Sequence, residues 1–251
     1  MKPTEEKRWA MVLAAGLGSR LKQFTADKPK ALVEIGGKTL LEHVLENLKR
    51  NGFTDVVVNV HHFADKIIEA IQSQSFELNI VVSDERGQLM DTGGAILQAI
   101  KYLSMNELVM VHNVDLLHNF DLAQLRERFI AAEADAGLVI STRESSRKLL
   151  FNNHQQLIGW TNALTGSIKR VQGHRLSKSV TAYAFSGIHF FYPSLFANYR
   201  PEPCSVIDLY LHLAATRRIA GLPQSEGWWF DVGKAESVSA IENEFSRLIK
   251  L

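Results

Sequence analysis

The chain has 251 residues, 46% of them hydrophobic and 22% charged, which is long enough to bury a substantial core. Its 28 basic and 27 acidic residues leave a formal net charge of +1, so no global field draws it to nucleic acid or to an anionic membrane, and an anion site must be local. A single cysteine, Cys204, rules out an intrachain disulfide and fits a reducing compartment.

Met1 to Arg8 is polar and lacks the apolar core of a secretory signal. No apolar run approaches the ~18 residues needed to span a bilayer. A cytoplasmic protein with neither a nucleic-acid nor a membrane partner is expected. Met11-Val12-Leu13-Ala14-Ala15 then predicts a buried strand that turns at Gly16-Leu17-Gly18. Ser19, Arg20, Thr25, Lys28 and Lys30 follow before the next apolar segment. A buried strand that ends in a small-residue turn and then delivers cations is built to hold phosphate.

Val33 to Lys38 reads as a short extended turn, and Thr39 as the cap of a helix. In that helix Leu40, Leu41, Val44, Leu45 and Leu48 recur at helical spacing, and Asn51-Gly52 closes it. Val56-Val57-Val58-Asn59-Val60 predicts a second strand. His62 to Gln74 reads as a helix with Ile67, Ile68 and Ile71 inward, and Ile80 to Val82 as a third strand. Thr92 to Leu103 is a helix that opens with Gly93-Gly94. Leu108 to Val111 is a fourth strand ending at His112-Asn113-Val114-Asp115. Asp121 caps a helix to about Glu133, and Gly137 to Ser141 is a fifth strand.

Strands that alternate with helices predict an α/β fold with a doubly wound, mostly parallel mixed sheet, Rossmann-like, in which ligands sit at the carboxyl ends of strands. From Arg143 to Thr181 short apolar patches separated by polar turns predict hairpins instead. Ala182 to Phe191 is a longer strand carrying Ser186-Gly187. Helices are expected near Ser194 to Tyr199 and Val206 to Arg217, a strand at Trp228 to Gly233, and a closing helix from Lys234 to Leu251 with Val238, Ile241, Phe245, Leu248 and Ile249 on one face. With no linker or internal repeat, the expectation is one domain over residues 1–251 with a small β insertion at about 143–190.

Familiar phosphate motifs fail on spacing. A dinucleotide fingerprint needs a third glycine where Leu21 stands, and a P-loop ending in Gly37-Lys38-Thr39 needs a glycine where Leu32 stands. One cysteine and nine scattered histidines offer no zinc spacing; His61, His62 and His112 read as strand-end or packing residues. What does fit is Gly16-Leu17-Gly18-Ser19-Arg20-Leu21-Lys22-Gln23-Phe24-Thr25 followed by Pro29-Lys30-Ala31-Leu32.

That pattern resembles the signature of the sugar-1-phosphate nucleotidyltransferases. The resemblance extends from Val12 to about Glu236, and it departs at Gln23, where a proline is usual, and at Val114, where a glycine is common. It implies an NTP and a sugar-1-phosphate as substrates, Mg²⁺ as cofactor, and an NDP-sugar and pyrophosphate as products. It implies Arg20 and Lys30 as the catalytic cations, and Ala14, Ala15, Gly16, Gly18 and Ser19 around the nucleotide. Asp91-Thr92-Gly93-Gly94 resembles the family's small-residue segment beneath the nucleobase. Asp115 and, in Trp229-Phe230-Asp231-Val232-Gly233, Asp231 would hold the metal. Ser186 and Gly187 resemble the strand beside the acceptor sugar. Arg143, Lys169 and Arg170 are candidates for its phosphate, since the family's Glu-Lys pair is not identifiable between Arg143 and Val180.

From its end at Leu251, the chain is expected to lack the C-terminal β-helix of some relatives. It looks most like the N-acetylmuramate-1-phosphate uridylyltransferases and the mannose- or heptose-1-phosphate guanylyltransferases of cell-wall and surface-polysaccharide precursor metabolism. UTP is the favoured nucleotide, with GTP or CTP as alternatives, and the protein is expected as a monomer or homodimer. The rival readings are a cytidylyltransferase for phosphocholine or an alditol phosphate, and a non-catalytic nucleotide-binding relative.

Overall fold

The computed structural model describes residues 7–173 and 179–248. The fold is α/β, with mixed, mostly parallel strand pairing flanked by helices. Two compact units make up the chain. The first comprises residues 1–89, 112–120 and 227–251, and the second residues 90–111 and 121–226.

In the first unit, Trp9–Leu13, Asp55–Val60 and Asn79–Asp84 lie parallel, with Met11 opposite Val57 and Val57 opposite Val81. Asp55–Val60 is buried along its whole length because it is flanked on both sides, which is why its sequence is a β-branched run with no alternation. The helix Leu40–Arg50 starts with a capping box, in which Thr39 Oγ1 accepts from the Glu42 amide and Glu42 Oε2 accepts from the Thr39 amide at 2.6 Å. Leu40, Leu41, Val44, Leu45 and Leu48 are its buried face, as their spacing predicts.

The closing helix Ala235–Leu248 buries Val238, Ile241 and Phe245 against Leu21, Ile35, Leu117 and Val232. Ile249, predicted on the same face, lies outside the described residues. The helix Ala64–Gln72 is shorter than predicted and buries Ile67, while Ile68 and Ile71 are half-buried. A short strand that the sequence did not signal, Leu116–His118, pairs antiparallel with Trp229–Asp231, so that Leu116 faces Asp231.

In the second unit, Ala136–Ser141 lies between Thr181–Phe191, antiparallel, and Ile219–Pro223, parallel. The second of these is another strand missed from sequence, because a five-residue Ile-Ala-Gly-Leu-Pro run carries the glycine and proline of a loop. Arg147–Phe151, Leu157–Asn162 and Ser167–Arg170 form the predicted hairpins. The helix Asp91–Ala99 continues as a 3-10 turn, and Val206–Leu213 is the helix capped by Ser205. Between Phe185 and His189 the pairing with Ala136–Ser141 shifts register. Gly187 sits inside this bulge at φ 79°, a value that a side chain would resist.

Tyr210 is fully buried, and its hydroxyl lies 2.6 Å from His189 Nδ1. Among the described residues no helix is long and apolar enough to cross a membrane.

Burial pushes His189 down to about 3 from an ordinary 6.5. Between those values the unfolded chain binds a proton that the folded chain refuses, so His189 withdraws stability as pH falls below 6.5. Unfolding in urea at pH 7 and at pH 5, on the wild type and on His189→Gln, checks this. The wild type should lose about 2 kcal/mol more than the variant over that interval. Identical pH dependence in the two proteins would contradict it.

Candidate functional site

The first unit gathers the predicted loop, both cations and both acids. Trp9–Leu13 ends before Ala14 and Ala15, whose amides point at the second strand. There Asn59 Oδ1 accepts from the Ala14 amide at 2.7 Å and the Ala15 amide at 3.4 Å. Asn59 is itself held by its Nδ2, which donates to the buried Glu85 at 2.9 Å. Sequence reasoning passed over Asn59, yet a carboxamide inside a run of valines is a signal, because a buried polar side chain needs partners. Since both amides are committed to Asn59, Ala14 and Ala15 can meet a ligand only through their other atoms.

The loop then bends at Gly18, φ 65°, which opens a 3-10 helix over Ser19–Thr25. A methyl at Gly18 would lie 2.9 Å from Thr25 Cγ2 and 3.1 Å from Lys30 Cβ. Thr25 Oγ1 donates to the Gly18 carbonyl at 3.1 Å, and the Leu21 amide donates to the same oxygen at 2.8 Å. The glycine, the threonine and the lysine of the motif are thus one packed unit, which explains their fixed spacing. Lys22 breaks the short helix at φ 48°, ψ −109°, beside the exposed Gln23. Gly16, Ser19 and Arg20 are exposed, the position a phosphate-facing loop requires.

Lys30 is 8% exposed, and its ammonium donates to Asp115 Oδ2. Asp115 follows the strand Val109–Asn113, and the Val114 amide ties that strand end to the Leu13 carbonyl at 3.1 Å. Val114, which replaces the family's glycine, is buried. The Asp115 carbonyl in turn accepts from the Val232 amide at 2.9 Å, which brings the Asp231 segment alongside. Gly233 completes the arrangement. A methyl built on it would come within 2.5 Å of Asp231 Oδ1 and 3.2 Å of Arg20 Nη2, so arginine and acid share the space that this glycine leaves.

Among the described residues no group of three or more His, Cys, Asp and Glu could hold a metal. The two carboxylates fit a hard cation that takes the rest of its shell from water and from substrate phosphates, as Mg²⁺ does, and not one that needs a closed protein cage.

The remaining candidates are in the second unit. Asp91 starts its helix at φ 55°, exposed, with its Oδ1 accepting from the Thr92 amide at 2.6 Å. Thr92 Oγ1 accepts from the Val206 amide at 3.0 Å. Gly93 and Gly94 are buried against residues 202–205. Both amides donate to the Cys204 carbonyl, and a methyl at Gly94 would strike the Glu202 carbonyl at 2.3 Å. Close backbone packing therefore accounts for both glycines.

Arg143 Nη2 donates to the Phe185 carbonyl at 2.8 Å, beside the bulge with Ser186 and Gly187. Lys169 is turned elsewhere, pairing with Asp208 and lying 5.5 Å from the Trp160 ring centroid. Both the Lys169 pair and the neighbouring Arg170 line a cavity of about 410 Å³ with Tyr199 and His212.

Known proteins resemble this chain over most of its length. An N-acetylmuramate alpha-1-phosphate uridylyltransferase of Caulobacter vibrioides is 32% identical over 93% of this chain and 95% of its own length. A mannose-1-phosphate guanylyltransferase catalytic subunit beta of Dictyostelium discoideum is 23% identical over 90% of this chain, which spans 61% of that protein. The crystal structure of HddC from Yersinia pseudotuberculosis complexed with GMP-PN shares the fold, with a TM-score of 0.75 at 21% identity, covering 95% of this chain and 99% of that one. The model of the MobA-like NTP transferase domain matches residues 10–186. By these matches the chain belongs to the MobA-like NTP transferase family.

Proposed function

We propose that this protein joins an NTP to a sugar-1-phosphate, releasing pyrophosphate and giving an NDP-sugar, with UTP as the favoured nucleotide. The observation that carries the reading is the convergence of Arg20, Lys30, Asp115 and Asp231 on one loop in the first unit. The name and near-equal length of the Caulobacter relative support uridylyl transfer. The Dictyostelium relative supports GTP as the second choice. We place the activity in the cytoplasm, in one nucleotidyltransferase domain over residues 1–251, as a step in making or recycling a cell-wall or surface-polysaccharide precursor.

In this reaction an oxygen of the sugar phosphate attacks the α-phosphorus in line. A new P–O bond forms, the bond to the β-phosphate breaks, and pyrophosphate leaves with the electron pair. The nucleophile is an anion at neutral pH, so no general base is needed. The chain's task is to offset repulsion between polyanions and to align them.

Gly16 to Ser19 offer backbone amides to the triphosphate, and Arg20 neutralises the β- and γ-phosphates. Lys30 shifts from Asp115 to the α-phosphate, a short move for a side chain anchored beside Gly18. Asp115 and Asp231 hold Mg²⁺. When bound, this ion neutralises triphosphate charge and orients the α-phosphate. Asp91, exposed at its helix start, faces the nucleobase with Thr92, Gly93 and Gly94 as its support. Arg143 with Ser186 and Gly187 receives the sugar phosphate, and Lys169 joins it only on leaving Asp208.

Pyrophosphate release should require Mg²⁺ and be fastest with UTP when UTP, GTP and CTP are crossed with a panel of sugar-1-phosphates. Nucleotide binding without turnover on any pairing would refute the enzymatic reading. Asp115→Asn should cut turnover about a hundredfold or more while the fold persists, and near-normal activity in the folded variant would remove Asp115 from the metal site. Gly18→Ala forces a left-handed residue costing about 1–2 kcal/mol and pushes on Thr25 and Lys30. Calorimetry should find nucleotide affinity reduced about tenfold with the melting temperature lowered by only a few degrees.

A further inference from the structure

Two buried histidines bracket the turn that carries Asp115, and the reaction above uses neither. His112 lies in the strand Val109–Asn113, and His118 ends the strand Leu116–His118. They are 1% and 7% exposed, and their Nε2 atoms meet at 2.8 Å. Two ring nitrogens at that distance need one proton between them.

The opposite ends of the rings say where that proton sits. The Phe120 amide donates to His118 Nδ1 at 3.0 Å, so this nitrogen is bare and His118 is protonated on Nε2. His112 Nε2 is then the acceptor. Its own proton is on Nδ1 and is donated to the Asn113 carbonyl at 2.7 Å. Phe120 stacks on the His118 ring with centroids 4.7 Å apart. Each ring nitrogen has one defined role, and a second proton on either ring would set two donors against each other. Burial pushes His112 down to about 4 and His118 well below the usual histidine value, so both rings stay neutral near pH 7.

This tie closes the base of the turn formed by residues 113–117. His118 is also the residue opposite Trp229, in the ladder that sets Leu116 opposite Asp231 and the Val232 amide on the Asp115 carbonyl. A leucine pair would fill the same space without direction. A hydrogen-bonded ring pair fixes distance and angle.

We propose that His112 and His118 are positioning residues, a neutral ring-to-ring tie that holds the Asp115 turn closed and so fixes the spacing between Asp115 and Asp231 for a divalent cation. The proposal rests on the reading of those two acids as metal-holding. His118→Asn keeps an acceptor for the Phe120 amide and deletes the donor to His112. His112→Gln keeps an acceptor where Nε2 stood.

Mn²⁺ alone, titrated into the full-length protein and followed by electron paramagnetic resonance, is the probe, with thermal melting in parallel. His118→Asn should weaken Mn²⁺ binding about tenfold or more, and His112→Gln should remain within about twofold of wild type. Asp115→Asn separates the two readings. If it abolishes binding while folded His118→Asn binds as the wild type does, the tie has no positioning role and the metal reading stands. If Asp115→Asn binds Mn²⁺ normally, the metal reading fails and the proposal fails with it. If His118→Asn does not fold, ring nitrogen chemical shifts of the wild type decide. Protons on His112 Nδ1 and His118 Nε2 uphold the tie, and any other pattern overturns it.

Discussion

One backbone hydrogen bond, from the Val232 amide to the Asp115 carbonyl, sets side by side the segments that carry two acids far apart in sequence, Asp115 and Asp231. Each acid alone is an ordinary turn residue. The three-residue ladder between Leu116–His118 and Trp229–Asp231 aligns them, but so short a ribbon is not stable by itself. Its support is apolar. Leu117 and Val232 sit in the cluster formed by Val238, Ile241 and Phe245 of the closing helix, with Trp228 and Phe230 packed against it. The closing helix thus serves the site without contributing a functional group to it, since the burial of its apolar face is what keeps the ladder formed.

The same economy governs the loop from Gly16 to Lys30. A loop that binds anions through its amides must leave those amides unpaired in the free protein, and the surrounding structure has to hold the backbone by other means. Here Asn59 fixes the loop's entry by consuming the amides of Ala14 and Ala15. Thr25 and Leu21 fix its exit through the Gly18 carbonyl. The buried ammonium of Lys30 is neutralised by Asp115, so neither ion is left uncompensated in a place where burial of a lone charge would be costly. On the proposed function, a triphosphate would offer that ammonium a second anionic partner, and a metal ion would offer the carboxylate a second cationic one. Exchange between such partners needs no net creation of buried charge.

The second unit shows how one residue type divides between roles. Arg143 and Lys169 are both cations of the 143–190 segment. A guanidinium donating to the Phe185 carbonyl sits at a bulge, where backbone and side chains are turned out of the ladder. An ammonium paired with Asp208 above Trp160 is a surface ion pair. Gly93 and Gly94 share a single role. The sequence marks them as small, and the structure shows the 202–205 segment as the neighbour that requires it.

Local patterns were legible because they are set by neighbours in sequence. The capped helix from Leu40, the valine-rich strand, the hairpins after Arg143 and the loop from Gly16 to Lys30 all follow from periodicity, capping and turn chemistry. The spacing of Gly18, Thr25 and Lys30 was readable as a motif because Thr25 and Lys30 both pack against Gly18 within one short segment. What the sequence alone could not decide was every feature built from distant segments. Those are the strands Leu116–His118 and Ile219–Pro223, which are too short to carry a period of their own, and the bond that sets the Val232 amide on the Asp115 carbonyl. They also include the commitment of Asn59 to the loop and the bond between His112 and His118. Hydrogen bonds and packing between such segments form only once the chain has closed long loops, and their geometry belongs to the folded structure and to no stretch of sequence.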